Sequence, residues 1–140
     1  MDLLDTLNIS ASGLSAQRTR LQTVASNMAN ARTTRTADGG PYKRRAPVFQ
    51  ASMIDRFGDM MDQELSQVQI SEIDTAETEG MRVFDPDHPD ADAEGFVTYP
   101  DINILHEMVD MMNASRSYEA NAKVLDTTFE MAARALEIGR

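Results

Sequence analysis

Cysteine and tryptophan are both absent from the 140-residue sequence, and aromatic residues make up only 6% of it. Without cysteine, the chain has no disulfide framework, no thiol nucleophile and no thiolate metal site. Long apolar runs are also missing, since no segment approaches the ~18 residues that a membrane-spanning helix needs. The opening MDLLDTLNIS lacks a basic leader and an apolar core followed by a small-residue cleavage site. We therefore expect no direct membrane insertion and no cleaved signal peptide.

Basic residues are scarce in the middle of the chain. Residues 51–100 contain 2 basic and 13 acidic residues, whereas residues 1–50 contain 7 basic and 3 acidic ones. The formal net charge of −10 argues against nucleic acid as a partner, because phosphates need a basic surface. We expect the basic residues of the first third to contact the acidic middle of the same chain or of a neighbouring molecule. These residues are Arg18, Arg20, Arg32, Arg35, Lys43, Arg44 and Arg45.

A heptad pattern predicts an N-terminal coiled-coil helix over residues 1–34. Large apolar residues recur every seven positions, and mostly small residues occupy the offset positions. Threonines and the turn sequence Asp38-Gly39-Gly40-Pro41 end this helix. The large residues of the seam are Leu7, Leu14, Leu21 and Met28. Burial of four such side chains contributes ~8 kcal/mol, which is small beside the entropy cost of ordering ~28 residues. We therefore expect the helix to be frayed until a partner covers it; a merely weak helix is the alternative interpretation.

Residues 101–140 contain the clearest helical pattern, and they predict a C-terminal coiled-coil helix. Alternating steps of four and three residues give a period of 3.5, which indicates a left-handed supercoil with a partner helix. Asp101 is the predicted N-cap, and Gly139 is the predicted C-terminal stop. The positions of this seam are Ile104, Met108, Met111, Ser115, Tyr118, Ala122, Leu125, Phe129, Ala132 and Leu136.

The segment between the helices, residues 35–100, predicts a small module rich in β-strands and loops. Short strands are expected at 42–49, 67–73, 81–84 and 96–99, and a short helix is possible at 53–65. The whole chain is then an α+β fold. Its long N- and C-terminal helices form an antiparallel coiled-coil pair, and the β-rich module lies between them in sequence.

Two segments invite comparison with metal sites, and neither fits. HEMVD, from His106 to Asp110, lacks the second imidazole of the helical zinc motif, so a solvated helix face is the ordinary interpretation. DPDHPDADAEG, residues 85–95, resembles a calcium loop in composition only, because prolines interrupt the ligand spacing. An acidic turn between two strands is favoured there. No serine or threonine has a nucleophile-and-base context, so we expect no catalytic residue, no metal and no cofactor.

Several stretches of the sequence resemble bacterial flagellar axial proteins, the family of rod and hook subunits. The helix that ends in Asn27-Met28-Ala29-Asn30-Ala31, with threonines after it, is similar to the N-terminal signature of that family. TTRTADGGPYKRR, residues 33–45, and the segment 84–139 resemble the proximal-rod branch over almost their full length. Residues 51–66 depart from the short, glycine-containing linker usual in the family.

The resemblance implies a structural subunit of the proximal rod of the flagellar basal body, not an enzyme. Such subunits are exported unfolded by the flagellar type III apparatus without signal-peptide cleavage, and they assemble into a hollow periplasmic rod. The expected partners are copies of the chain, other rod proteins, the membrane ring or its adaptor, and the export apparatus in transit. Two alternatives stay open: another axial component or a generic helical adaptor, and a calcium- or zinc-dependent protein that uses the acidic loop or His106.

Under this resemblance, the terminal seams become the candidate assembly interface of the rod. The N-terminal seam residues Leu7, Leu14, Leu21 and Met28 are expected to meet Met111, Tyr118, Leu125 and Phe129, with Ile104, Met108 and Leu136 continuing the C-terminal seam. Asn27 and Asn30 are expected to satisfy backbone groups where the first helix ends. Arg116 and Glu119, beside the seam, are candidates for setting subunit register by charge.

Overall fold

A computed structural model describes residues 3–53 and 66–138 of the chain. Two long helices, α1 (Leu3–Ala29) and α2 (Ile104–Ile138), flank four strands in sequence. The strands are β1 (Arg45–Met53), β2 (Ser66–Thr75), β3 (Met81–Phe84) and β4 (Phe96–Tyr99). The predicted α+β class is confirmed. The short helix considered at 53–65 lies outside the described residues except for Met53, which ends β1.

Helix α1 ends at Ala29, several residues before the threonines that were expected to stop it. The side-chain amide of Asn30 donates a hydrogen bond to the Ser26 carbonyl (2.9 Å), and the Thr33 hydroxyl donates to the Asn30 side chain (3.1 Å). The first bond gives a second donor to a carbonyl that already accepts from the Asn30 backbone N–H, and the second bond joins two side chains. Asn30 therefore bonds to a backbone carbonyl of the last helical turn, as predicted, and the helix ends before the predicted boundary at residue 34.

Helix α2 begins at Ile104 with Asn103 as its N-cap, so the predicted cap at Asp101 is wrong. The Asn103 side-chain oxygen accepts hydrogen bonds from the backbone N–H groups of Leu105 (3.0 Å) and His106 (3.3 Å). Asparagine and aspartate cap helices about equally well, and only the geometry shows which residue holds the position. Gly139, the predicted stop, lies outside the described residues.

The two helices pack antiparallel through small and polar side chains. A Cβ added at Gly13 of α1 would lie 2.8 Å from the side-chain nitrogen of Asn121 in α2. Asn27, fourteen residues after Gly13, contacts Glu107, fourteen residues before Asn121. The chain directions of the two helices are therefore opposite. Ala16 and Ala114 are buried between these contacts. The helix pair therefore closes over a thin, close-packed face and not over the large apolar residues.

The strands form two separate antiparallel pairs. β1 pairs with β2 from Arg45 opposite Thr75 to Met53 opposite Ser66, with an irregularity between Val48 and Phe49 just after Pro47. The first strand begins at Arg45 and not at residue 42, because the Tyr42 ring is buried and its backbone N–H donates to the Thr33 carbonyl. The Val68 N–H donates to the Ser12 hydroxyl (3.2 Å), which fastens β2 to α1.

β3 pairs with β4 from Met81 opposite Tyr99 to Phe84 opposite Phe96, as the sequence predicted. The acidic segment 85–95 connects these two strands, so its interpretation as a turn is confirmed. Gly80, just before β3, has φ of +80°, and a Cβ there would lie 2.5 Å from the Tyr99 carbonyl oxygen. Within the described residues, neither helix is long and apolar enough to cross a membrane.

Candidate assembly interface

The row of α2 that faces α1 is offset from the predicted seam. Glu107, Ala114 and Thr128 are buried and Asn121 is half-buried, and these four residues are spaced seven apart. Sequence reasoning missed this row because its members are small or polar, although their heptad spacing was a readable signal. The predicted seam residues Met111 and Leu125 border the row and are half-buried.

Many large apolar side chains of α2 are exposed, among charged residues such as Lys123 and Glu130. Three of its exposed residues, Phe129, Met131 and Leu136, have 59%, 60% and 77% of their surface open to solvent. Phe129 and Leu136, seven residues apart, lie on one side of the helix, and Met131 lies on the other. Exposed apolar residues that share one side of a helix are characteristic of a site for association with another molecule. The exposed large apolar residues of α2 are Ile104, Leu105, Met108, Val109, Met112, Tyr118, Val124, Phe129, Met131 and Leu136.

The α1 side of the predicted interface is covered more completely. Leu7, Leu14, Leu21 and Met28 are all half-buried, because α1 packs on α2 along one side and contacts β1 and β2 along another. Ser10, Ala16, Thr23 and Val24 are the buried residues of the helix between its two ends. The structure of the single chain therefore leaves the α1 seam partly open and the α2 seam largely open.

A buried polar network joins the end of α1, the start of α2 and the start of β1. Asn27 is completely buried, and its side-chain nitrogen donates to the Arg45 carbonyl (2.8 Å) and to the Glu107 carboxylate (3.0 Å). Its side-chain oxygen accepts from the Arg45 N–H (3.0 Å) and the Tyr42 hydroxyl (3.1 Å). Asn27 thus satisfies backbone groups, as predicted, but these groups belong to the start of β1 and not to α1.

Glu107 is the most buried carboxylate of this network, with 1% of its surface exposed. Arg44 donates to it from Nε at 2.7 Å and lies 3.9 Å from Asp110, which also accepts a hydrogen bond from Arg20 at 3.0 Å. Burying a carboxylate is favourable only when charged and hydrogen-bonding partners surround it. Glu107 and Asp110 therefore correct the interpretation of HEMVD as a solvated face, whereas His106 is exposed as expected.

Three basic residues of the first third, Arg20, Arg35 and Arg44, form ion pairs within the described part of the chain, with two kinds of partner. Arg35 lies 3.9 Å from Asp90 in the acidic loop, as expected for contact with the middle of the chain. Arg20 and Arg44 contact α2 instead. That choice depends on residues more than sixty positions away, and no local pattern indicates it.

Asp92 organises the acidic loop by accepting hydrogen bonds from within it. Its carboxylate accepts from the N–H groups of Phe96 and Glu94 (both 2.9 Å) and from the Arg82 guanidinium at 2.6 Å. The Phe96 hydrogen bond is the largest cause of the lowered pKa of Asp92, with smaller contributions from Glu94 and Arg82. The carboxylate is thus occupied by donors, and no metal-binding group of three or more ligands occurs among the described residues.

Two family models match the sequence at its two ends. One, described as flagella basal body rod protein, matches residues 7–35. The other, described as flagellar basal body rod FlgEFG protein C-terminal, matches residues 93–138. The first match covers most of α1 and the turn after it, and the second covers β4 and α2. The resemblance seen in the sequence therefore falls on the two helices that form the antiparallel pair.

Relatives of similar length match the chain from end to end. The flagellar basal-body rod protein FlgC of Aquifex aeolicus is 42% identical over 138 residues, covering 98% of this chain and 97% of the relative. FlgC of Bacillus subtilis is 38% identical over 151 aligned positions, covering 100% of both chains. FlgC of Borreliella burgdorferi is 36% identical over 149 positions, covering 99% of this chain and 98% of the relative.

Proposed function

The chain belongs to the FlgC family of flagellar basal-body rod proteins, and from this premise we propose that it polymerises through its terminal helices in the proximal rod. A structural role in the rod follows from the family membership. The proposal adds three points to this role: the contacts between copies, the location of the rod and the route of export. We propose that the rod lies in the periplasm and that the chain has no enzymatic activity.

The exposed apolar surface of α2 carries this proposal. The chain uses the row through Glu107 and Ala114 for its own α1 and leaves larger side chains such as Phe129 and Leu136 exposed. Burial of one such side chain contributes about 1.5–3 kcal/mol, so covering several of them with a neighbouring subunit is strongly favourable. Copies of the chain and other rod subunits are the proposed sources of that cover.

The proposed assembly contacts are those of the two seams. Leu7, Leu14, Leu21 and Met28 supply the N-terminal side, and each of these side chains is only partly buried in the single chain. Ile104, Met108, Met111, Tyr118, Leu125, Phe129 and Leu136 supply the C-terminal side. The β-containing segment between the helices is proposed to contact neighbouring rod proteins and the membrane ring or its adaptor.

Export by the flagellar type III apparatus is part of the same proposal. A chain without cysteine does not form disulfides that would block passage in an unfolded state. The helices pack through a thin face, which is compatible with unfolding for transit and refolding at the growing end.

Complementation of a deletion strain tests the function. Cells that lack the gene should not swim, and their basal bodies should lack a rod beyond the membrane ring. Restoring the gene should restore both. Swimming by the deletion strain would refute the role in the rod.

A matched pair of variants tests the seam within the same strain. Phe129→Ala should reduce swimming and the yield of rods, whereas Met53→Ala should not, although Met53 is 73% exposed at the end of β1. Circular dichroism of both purified variants should confirm an unchanged helix content. Equal swimming of the two variants would contradict the proposed seam while leaving the family role intact.

A further inference from the structure

Helix α2 extends beyond α1 at its C-terminal end. Gly13 lies beside Asn121 and Asn27 beside Glu107, so this antiparallel register brings position 3 of α1 to about position 131 of α2. Residues 133–137 are exposed at every position. Five consecutive residues exceed one helical turn of 3.6, so no side of this stretch is covered. We refer to residues 132–138 as the overhang.

The overhang continues an apolar stripe that begins one turn earlier. Phe129, Ala132, Ala133 and Leu136 are spaced i, i+3, i+4 and i+7, which places them on one side of the helix. Phe129 and Leu136 are among its most exposed large side chains. Glu130 and Glu137 flank the stripe on the same side. The end of α2 is thus an amphipathic helix without a partner among residues 3–53 and 66–138.

An apolar groove of about 400 Å³ lies at the opposite end of α2. It is formed where β3 and the segment before α2 meet the turn that follows α1. Its volume is within the range of sites that accept small ligands or protein side chains. Arg32, the one charged residue of its lining, is exposed and makes no ion pair with another described residue. The apolar lining includes Met81, Val83, Pro100, Ile102 and Ile104.

We propose that the overhang of one copy docks in this groove of a second copy. The end of α2 supplies an apolar stripe with Glu130 and Glu137 beside it and Arg134 farther round the helix, and the groove supplies apolar walls beside Arg32. One chain cannot make this contact with itself, because about 45 Å of α2 separate the two surfaces at 1.5 Å per residue. The proposal rests on the proposed function and specifies which surfaces meet.

The two surfaces differ from each other, so their contact is heterologous. When two copies associate, the groove of one copy and the overhang of the other stay free. Such a contact propagates along an open row and does not stop at a dimer. The groove-and-overhang contact therefore supplies a lengthwise connection between copies. The seams described above would supply sideways contacts through their remaining residues, such as Met108, Tyr118 and Leu125. Ile104, Phe129 and Leu136 belong both to the C-terminal seam and to the groove or the stripe.

Disulfide cross-linking tests the contact directly, because the chain contains no cysteine of its own. A chain with both Leu136→Cys and Val83→Cys, produced in the deletion strain, should form a ladder of dimers and larger oligomers in oxidised basal bodies. Leu136→Cys alone should yield no ladder, since one cysteine can join at most two chains. If Leu136→Cys prevents assembly, Ala133→Cys replaces it on the same stripe with a smaller change of volume.

The matched control combines Val83→Cys with Met131→Cys. Met131 is 60% exposed in the same part of α2 but lies on the side of the helix away from the stripe. A disulfide requires Cα atoms within about 7 Å, so this pair should give no ladder. A ladder of equal strength from the control would overturn the proposal, as would a Leu136→Cys cross-link to a protein other than a second copy.

Charge reversal supplies a second readout that does not rely on cysteine placement alone. Adding Arg32→Glu or Glu137→Arg to the cross-linking chain should each lower the ladder yield about two- to fivefold, and adding both should restore it. A double reversal as weak as the singles would contradict the charge pairing. If the unaltered gene restores swimming but the cysteine pair gives no ladder, the proposed function stands and this inference is wrong. If the deletion strain swims, the proposed function itself fails.

Discussion

The buried pair of Arg44 and Glu107 makes an asymmetric prediction about stability. The Glu107 carboxylate is 1% exposed and receives hydrogen bonds from Arg44 and Asn27, whereas the Arg44 side chain is 37% exposed. Removing Arg44 leaves a buried charge with one neutral donor. Removing the charge of Glu107 leaves an arginine that reaches both water and Asp110. We therefore expect Arg44→Met to be more destabilising than Glu107→Gln.

The magnitudes follow from the burial of each group. Breaking a buried pair by removing one partner costs about 3–5 kcal/mol, and the exposure of Arg44 places Arg44→Met near the lower end of that range, at about 3 kcal/mol. Glu107→Gln keeps the shape of the side chain and one acceptor oxygen. The new amide NH2 group then faces Arg44 or Asn27, both of which are donors. We expect about 1–2 kcal/mol for this variant.

Urea unfolding of the purified variants, followed by far-UV circular dichroism, measures both free energies of unfolding. The double variant of Arg44→Met and Glu107→Leu should be less destabilised than Arg44→Met alone, because no unpaired carboxylate stays buried. Lys43→Met is the control, since Lys43 is exposed and adjacent in sequence. An equal or larger cost for Glu107→Gln, or simple additivity in the double variant, would refute this reasoning.

Three further predictions concern the acidic loop, the turn before β3 and helix α1. The folded chain lowers the pKa of Asp92. Its carboxylate therefore stabilises the loop fully at pH values above the unfolded pKa of about 3.9, and this contribution is lost as the pH falls through the lower folded pKa. Asp92→Asn should remove this acid dependence, which the pH titration of the Phe96 amide resonance would show; an unchanged titration would contradict it. Gly80→Ala should lower the free energy of unfolding, measured by thermal unfolding, by about 1–3 kcal/mol. Gly39→Ala should lower it less, because both glycines have positive φ but only a Cβ at Gly80 would meet a backbone oxygen. Equal losses would argue against the close approach. In the dilute chain, residues 3–30 should be weakly protected from hydrogen exchange, with the turn around Asn27 the slowest to exchange, and strong protection throughout would contradict the expected fraying.

Local patterns were sufficient to locate most of the secondary structure. The heptads predicted two long terminal helices because a helix repeats its side chains every 3.6 residues whatever its partner is. Strands β3 and β4 were predicted with their observed bounds, and the acidic segment between them was predicted as a turn. The Asn27 to Ala31 signature indicated the family, which the bacterial relatives then confirmed.

The face on which the helices meet was not predictable from those patterns. Apolar periodicity marks the residues that avoid water, but in a rod subunit much of that surface is available to other molecules. Within one chain, the contact uses Asn27, Glu107 and Ala114, where small side chains permit close approach and the polar groups satisfy one another.

By itself, the sequence determined the two terminal helices, the acidic turn and the family, because each of these depends on neighbouring residues or on a short motif. Only the tertiary structure decided the partners of Asn27 and Glu107, the true cap at Asn103 and the overhang of α2. Hydrogen bonds between residues 80 positions apart, and the register of one helix against another, depend on the folded geometry of the whole chain, which no local spacing records.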